Sequence, residues 1–214
     1  SRLALLQAGV ASERIVVIRN GVDTERFKPL PDWAPGEVTK FAYPSRILPG
    51  KAQHLAIDAV ARLPRRYKSR ASLHIVGANA DPVYLDQIRV QSYEQPVRFS
   101  TDVPGMAPHI QDADVVVFPS VMAEGFGFSA VEAMACGKPV IWSDQDAIRE
   151  ATGGIGMPVP MGDVVAIRAA MKHLMDNPEE MVELGRQGRE YVEKNHSWVG
   201  VWERYEREIG AGIR

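Results

Sequence analysis

Cysteine, aromatic side chains and long apolar runs are all scarce in this chain, and each scarcity removes a class of protein. One cysteine among 214 residues, Cys136, cannot close an internal disulfide, which fits a reducing compartment. It sits among small residues with no histidine or other base beside it in sequence, so it reads as a buried structural thiol and not a nucleophile. Aromatic residues make up 7% of the chain, the net charge is only −2, and no long basic run occurs, which argues against a general nucleic-acid binder. No apolar stretch approaches the roughly 20 residues of a membrane-spanning helix. A signal peptide is also lacking, and a first residue of Ser1 rather than Met predicts a fragment. None of the five histidines is spaced with cysteine or carboxylates as a metal site requires. Gly153-Gly154-Ile155-Gly156 does not match the Gly-x-Gly-x-x-Gly pattern after a strand, which counts against a nicotinamide cofactor.

What is present is a regular alternation of strand-like and helix-like segments, with 45% hydrophobic residues to fill a core. Strands are expected at Phe41–Ile47, Ser72–Val76, Val97–Ser100, Val115–Phe118, Pro139–Trp142 and Ile155–Val159. Helices are expected at His54–Leu63, Val83–Tyr93, Pro104–Gln111, Val164–Met175 after an Asp163 N-cap, Glu179–Lys194 and Trp198–Ile209, with a further helical stretch at Ser1–Ala8. This order predicts an α/β, doubly wound, Rossmann-like parallel sheet followed by C-terminal helices. Prolines and Gly36 make residues 28 to 38 read as a linker, so the expected division is 1–30, 31–195 and 196–214.

The organising stretch is Pro119 to Pro139, a glycine-rich loop and an alanine-rich helix between two strands, closed by Gly137 where a left-handed C-cap would fall. Ligands of open α/β sheets sit in such loops. Glu124 and Glu132 bracket seven residues there and could accept hydrogen bonds from sugar hydroxyls. Ser129-Ala130-Val131-Glu132 also satisfies a capping box that needs no ligand, and Glu124 could be an exposed loop acid. Gly125-Phe126-Gly127 before a helix start could bring backbone amides to a phosphate, although tight turns use glycine too. Arg46 and Lys51, in the loop leaving the first strand, could neutralise a diphosphate or simply be solvated. Asp144-Gln145-Asp146 reads as an acidic loop capping the next helix.

These residues resemble a known family. Glu124 to Ile141, EGFGFSAVEAMACGKPVI, is similar to the Glu-x7-Glu signature of retaining, family-4-type glycosyltransferases of the GT-B fold. IRNGVDTERFKP, SRILPGKAQHLAIDAVARL, LHIVG, VRFSTDV, ADVVVFPS and SWVGVWERYE follow in that family's order, so the resemblance covers essentially the whole chain. It implies the C-terminal, donor-binding domain, with residues 1–30 the tail of an N-terminal domain and 196–214 a helix crossing back to it. By position, Arg46 and Lys51 would clamp the diphosphate, and Glu124 would contact the donor sugar. Glu132 would hold the ribose, Gly125, Phe126, Gly127, Phe128 and Ser129 would line sugar and phosphate, and Val103 would lie against the base. The resemblance further implies hexosyl transfer from a UDP- or GDP-sugar to a saccharide or lipid-linked acceptor, with retention and without a metal or other cofactor. Arg46, Lys51 and Glu124 would be the catalytic set. It places the whole protein in the cytoplasm or at the inner face of the membrane, in polysaccharide or glycolipid biosynthesis, with this fragment inactive alone. The chain departs from the family at Arg19, Ala52 and Thr101, where proline, glycine and glycine are usual; the last would alter the fit near the base. Two rivals stand beside this reading: a non-catalytic nucleotide-sugar-binding module, and a nucleotide-sugar epimerase on the same architecture.

Overall fold

The computed structural model describes residues 2–78 and 80–210, so Ser1 and the last four residues of the expected 196–214 stretch lie outside them. Six strands form one parallel sheet: β1 (Thr39–Pro44), β2 (Ala71–Gly77), β3 (Val97–Thr101), β4 (Val115–Phe118), β5 (Val140–Ser143) and β6 (Met157–Val159). Their order is β3-β2-β1-β4-β5-β6. The apolar runs explain this, since parallel strands covered on both faces need continuous rather than alternating hydrophobicity. Every residue of β4 and β5 is buried.

The helices are α1 (Arg2–Gln7), α2 (Gln53–Ala61), α3 (Arg65–Lys68), α4 (Pro82–Gln91), α5 (Ala107–Asp112), α6 (Phe128–Ala135), α7 (Asp146–Thr152), α8 (Val164–Asp176), α9 (Pro178–His196) and α10 (Trp198–Gly210). α2 meets α4 and α8, whereas α6 meets α5, α7 and α9, giving the two helical groups of a doubly wound sheet. The chain winds outward from β1 through β2 to β3, then returns to β4 on the other side of β1. The crevice at the carboxyl ends of β1 and β4 is therefore the topological switch point.

Several local expectations hold and others need correction. Asp163 caps α8, accepting the Ala166 amide at 2.9 Å, and Gly137 takes the left-handed conformation at φ 69°. β1 stops at Pro44 instead of running to Ile47, which releases Arg46 into the loop. Neither Asp144 nor Asp146 caps α7: Gln145 holds the N-cap position without a side-chain bond, and Asp144 pairs with Arg149.

Residues 20–33, expected as chain tail and linker, are bonded to the sheet domain. The Val22 amide donates to His196 O at 2.7 Å. Arg189 Nη1 donates to the carbonyls of Thr24, Phe27 and Ala135 at 3.1, 2.8 and 2.7 Å. Trp33 Nε1 donates to Asp114 at 3.1 Å, and its ring lies 3.7 Å from the buried Lys138 ammonium.

Ala52 occupies the left-handed region at φ 59°, ψ 40°, between a 3-10 turn (Pro49–Lys51) and α2, with no exposure. An L-residue there carries about 1–2 kcal/mol of strain, and glycine's larger unfolded-state entropy offsets part of any relief. Ala52→Gly should therefore raise unfolding stability by roughly 0.5–1 kcal/mol in urea denaturation.

Candidate functional site

Two loops meet at the switch point, one leaving β1 and one leaving β4. They are tied together at Gly50, whose carbonyl accepts the amides of Val121 and Met122 at 3.1 and 3.0 Å and the Ser120 hydroxyl at 3.3 Å. Above this joint lies a cleft of about 520 Å³. The structure gathers Arg46, Lys51, Glu124, Gly125, Phe126, Gly127, Phe128 and Ser129 around it, together with Asn20, Pro44, Ser45, Met106 and Phe118.

Lys51 and Glu124 form an ion pair at 2.6 Å, each side chain only 10% exposed. The lysine is boxed in: its ammonium lies 5.3 Å from the Phe118 ring centroid, and its carbonyl accepts the buried Tyr43 hydroxyl. Burial pushes the Tyr43 phenol well up, which keeps it a donor. The Glu124 backbone is fixed by Gln145, which accepts its amide at 3.1 Å and donates to Ser120 O at 2.9 Å. Arg46 differs from Lys51 in being exposed and in forming no ion pair among the described residues. Its fork is free to meet an anion from solvent.

Gly127 sits at the N-cap of α6 with φ 86°, a conformation that suits glycine. Its carbonyl accepts the amides of Ala130 and Val131, while those of Phe128 and Ser129, two residues that line the cleft, precede the first helical bonds. A cation pair on one side and free amides at a helix start on the other can hold two linked phosphates.

Val103 and Glu132 are not among the residues lining this cleft. Met106, from the same β3–α5 loop as Val103, does line it. Glu132 is not part of a capping box: Ser129 is the second residue of α6, and the N-cap is Gly127 with no side-chain bond. The Glu132 carboxylate accepts no hydrogen bond among the described residues. Burial pushes its carboxyl up to about 7, with Arg26 pulling the other way. Sequence reading missed Asn20, Met106 and Gln145; for Asn20 the Asn-Gly turn was visible, but nothing in sequence ties it to a loop a hundred residues away.

Among the described residues no three His, Cys, Asp or Glu side chains converge as a metal site, and no helix is long and apolar enough to cross a membrane. Cys136 is buried, and burial pushes its thiol up to about 12.

A family model described as "Glycosyl transferases group 1" matches residues 39–177. The D-inositol 3-phosphate glycosyltransferase of Kineococcus radiotolerans is 32% identical over 206 residues, covering 83% of this chain and 47% of that protein. A GDP-mannose-dependent alpha-(1-6)-phosphatidylinositol monomannoside mannosyltransferase of Mycolicibacterium smegmatis is 30% identical over 200 residues, covering 83% and 51%. The chain spans about half the length of the curated relatives it matches. Among solved structures, Anabaena HepE in complex with UDP-glucose superposes with a TM-score of 0.83 at 22% identity, over 98% of this chain and 61% of that one. Sucrose-phosphate synthase from Thermosynechococcus elongatus superposes with a TM-score of 0.81 at 24% identity, over 98% and 56%. At these identities the superpositions establish the GT-B-type α/β fold.

The raised Glu132 carboxyl makes its own stability signature. Its ionised form is penalised in the folded state, a penalty absent below the ordinary 4.5 and complete above about 7. Glu132→Gln should therefore be more stable than the parent above pH 7, by on the order of 2 kcal/mol, with the difference vanishing towards pH 4.5. Urea midpoints measured from pH 4.5 to 8.5 check it.

Proposed function

The chain belongs to the group 1 glycosyl transferases, and on that basis we propose that it is the donor-binding part of a retaining hexosyltransferase that takes its sugar from a UDP- or GDP-sugar. The observation carrying this reading is the meeting of Arg46, Lys51, Glu124 and the free α6 amides around one cleft at the switch point. Arg46 and Lys51 receive the diphosphate, and their charge opposes the negative charge that builds on it as the glycosidic bond breaks. Glu124, whose second oxygen is not taken by Lys51, accepts donor-sugar hydroxyls. Phe126 to Ser129 border the sugar and phosphate, Val103 the base, and Glu132 the ribose. No metal or other cofactor is required, because fixed cations supply the charge that a divalent ion would otherwise bring.

Residues 31–195 form the donor domain, 1–30 the tail of an acceptor-binding domain with its connection, and 196–214 a helix returning to it. The exposed apolar residues Trp198, Val199 and Trp202 on α10 support that return. HepE was seen with UDP-glucose and the M. smegmatis relative is named for GDP-mannose, so the base remains part of the proposal. The names of the relatives favour a saccharide or inositol-lipid acceptor, which would bring the whole protein to the cytoplasmic face of a membrane.

Calorimetric titration with UDP, GDP, ADP and their sugar conjugates tests the reading. One nucleotide diphosphate should bind selectively, and Arg46→Ala should weaken it at least about tenfold, the loss expected for one charge-assisted contact. Arg46 is the cleaner probe, since truncating Lys51 would strand a buried carboxylate. Absence of nucleotide binding, or unchanged binding by Arg46→Ala, would sink the proposal. The 214-residue chain alone should show no sugar transfer in the same solutions.

A further inference from the structure

A second, smaller pocket lies away from the donor cleft and shares no residue with it. It encloses about 100 Å³ between three segments. Ile18 and Arg19 form one wall, Lys194 and Asn195 near the end of α9 another, and Gly200, Val201 and Arg204 on the first turns of α10 the third. Three of these residues are cations and none is an acid.

A single surface cation needs no ligand, because water satisfies it. Here three converge, and the acids along the chain are spent elsewhere. Glu190 and Glu193, the carboxylates beside Lys194 on α9, pair with Arg186 and Arg189. Glu208, one turn beyond Arg204, pairs with Arg207. Lys194 and Arg204 themselves enter no ion pair or side-chain hydrogen bond among the described residues. Arg19 alone has a carboxylate near it, Glu150 at 3.6 Å, and its Nη1 donates to the Tyr191 hydroxyl at 3.4 Å. Those contacts orient the guanidinium and leave its other terminal nitrogen uncommitted. Like charges gathered around one small space repel, and an anion seated among them removes that repulsion. Two guanidinium forks and an ammonium suit a compact oxyanion such as phosphate. The pocket is far smaller than the 520 Å³ donor cleft, so it admits a phosphate group and not a nucleoside.

We propose that this pocket is a second anion site, in which Arg19, Lys194 and Arg204 hold the phosphate group of a monoester and thereby tie residues 18–19 and α10 to the end of α9. The tie matters because α10 buries none of its residues, so a bridging anion at its first turns bears directly on how firmly it is held. A soluble phosphate ester and a phosphorylated lipid headgroup offer the same chemistry, and the test separates them. The proposal does not depend on the donor-site reading.

The 15N-labelled chain is titrated with inorganic phosphate at an ionic strength held constant with sodium chloride. The Gly200 and Val201 amides should shift saturably, and amide exchange along α10 should slow severalfold. Lys194 and Arg204 are exposed, so folding tolerates Lys194→Gln and Arg204→Gln. Each should weaken phosphate at least about threefold, the loss of one charge-assisted contact at a solvated site. Arg65→Gln, which removes an exposed cation on α3, should leave the affinity unchanged. Co-sedimentation with phosphatidylcholine vesicles, with and without phosphatidic acid, identifies the carrier. Pelleting that requires phosphatidic acid and is lost in Lys194→Gln and Arg204→Gln, but not in Arg65→Gln, supports a lipid headgroup. Saturable phosphate binding without pelleting supports a soluble ester. Saturable shifts confined to Phe128 and Ser129 would put the phosphate in the donor cleft and overturn the proposal. Equal weakening by Arg65→Gln, which means general charge attraction, overturns it too, as does the absence of any saturable shift.

Discussion

The Lys51–Glu124 ion pair is the constraint from which the rest of the site follows. Two opposite charges, each 10% exposed, are tolerable only if their partners are fixed, because moving either one leaves a buried charge uncompensated. The surrounding bonds meet that demand. Gly50 O gathers three donors from the β4 loop, Tyr43 fastens the Lys51 carbonyl, and Gln145 fastens the Glu124 amide. The switch point therefore comes with rigid walls on the β1, β4 and β5 sides. Arg46, outside this cage, keeps the freedom to meet a ligand.

This arrangement explains why the fold could be read from sequence more fully than the site. Strands β4 and β5 announce themselves as short apolar runs, and Asp163 as a cap, because these signals are local. The capping-box pattern at Ser129-x-x-Glu132 is local too, yet it misleads: Gly127 in the left-handed region starts α6 two residues earlier and makes Ser129 an interior residue. Ala52 shows the reverse case. Its departure from the family's glycine was visible, but the strain it carries depends on a backbone angle that sequence does not reveal. Gln145 was hidden for a third reason, since it bonds Glu124, a residue brought near only by the crossing of separate βα units.

Residues 20–33 show how a stretch rich in proline can be anything but loose. Trp33 is held by Asp114 and faces the Lys138 ammonium, which has no hydrogen-bond partner among the described residues and is completely buried. A buried ammonium over an aromatic face is a strong reason for that face to stay in place. Arg189 and the His196 carbonyl add bonds at Thr24, Phe27 and Val22. Composition reports the absence of regular secondary structure here, and that is a different property from mobility.

The same bonds limit where the chain could bend. A hinge within residues 23–33 would have to break at least the Val22–His196 bond, and one beyond Phe27 the Arg189 carbonyl contacts as well. Asn20 would leave the cleft lining in the same motion, and a hinge beyond residue 26 would also take Arg26 from Gly105. Bending before residue 20 or beyond Ser197 disturbs none of these. Residues 20–33 should therefore travel with the sheet to which Arg189, His196 and Asp114 bind them.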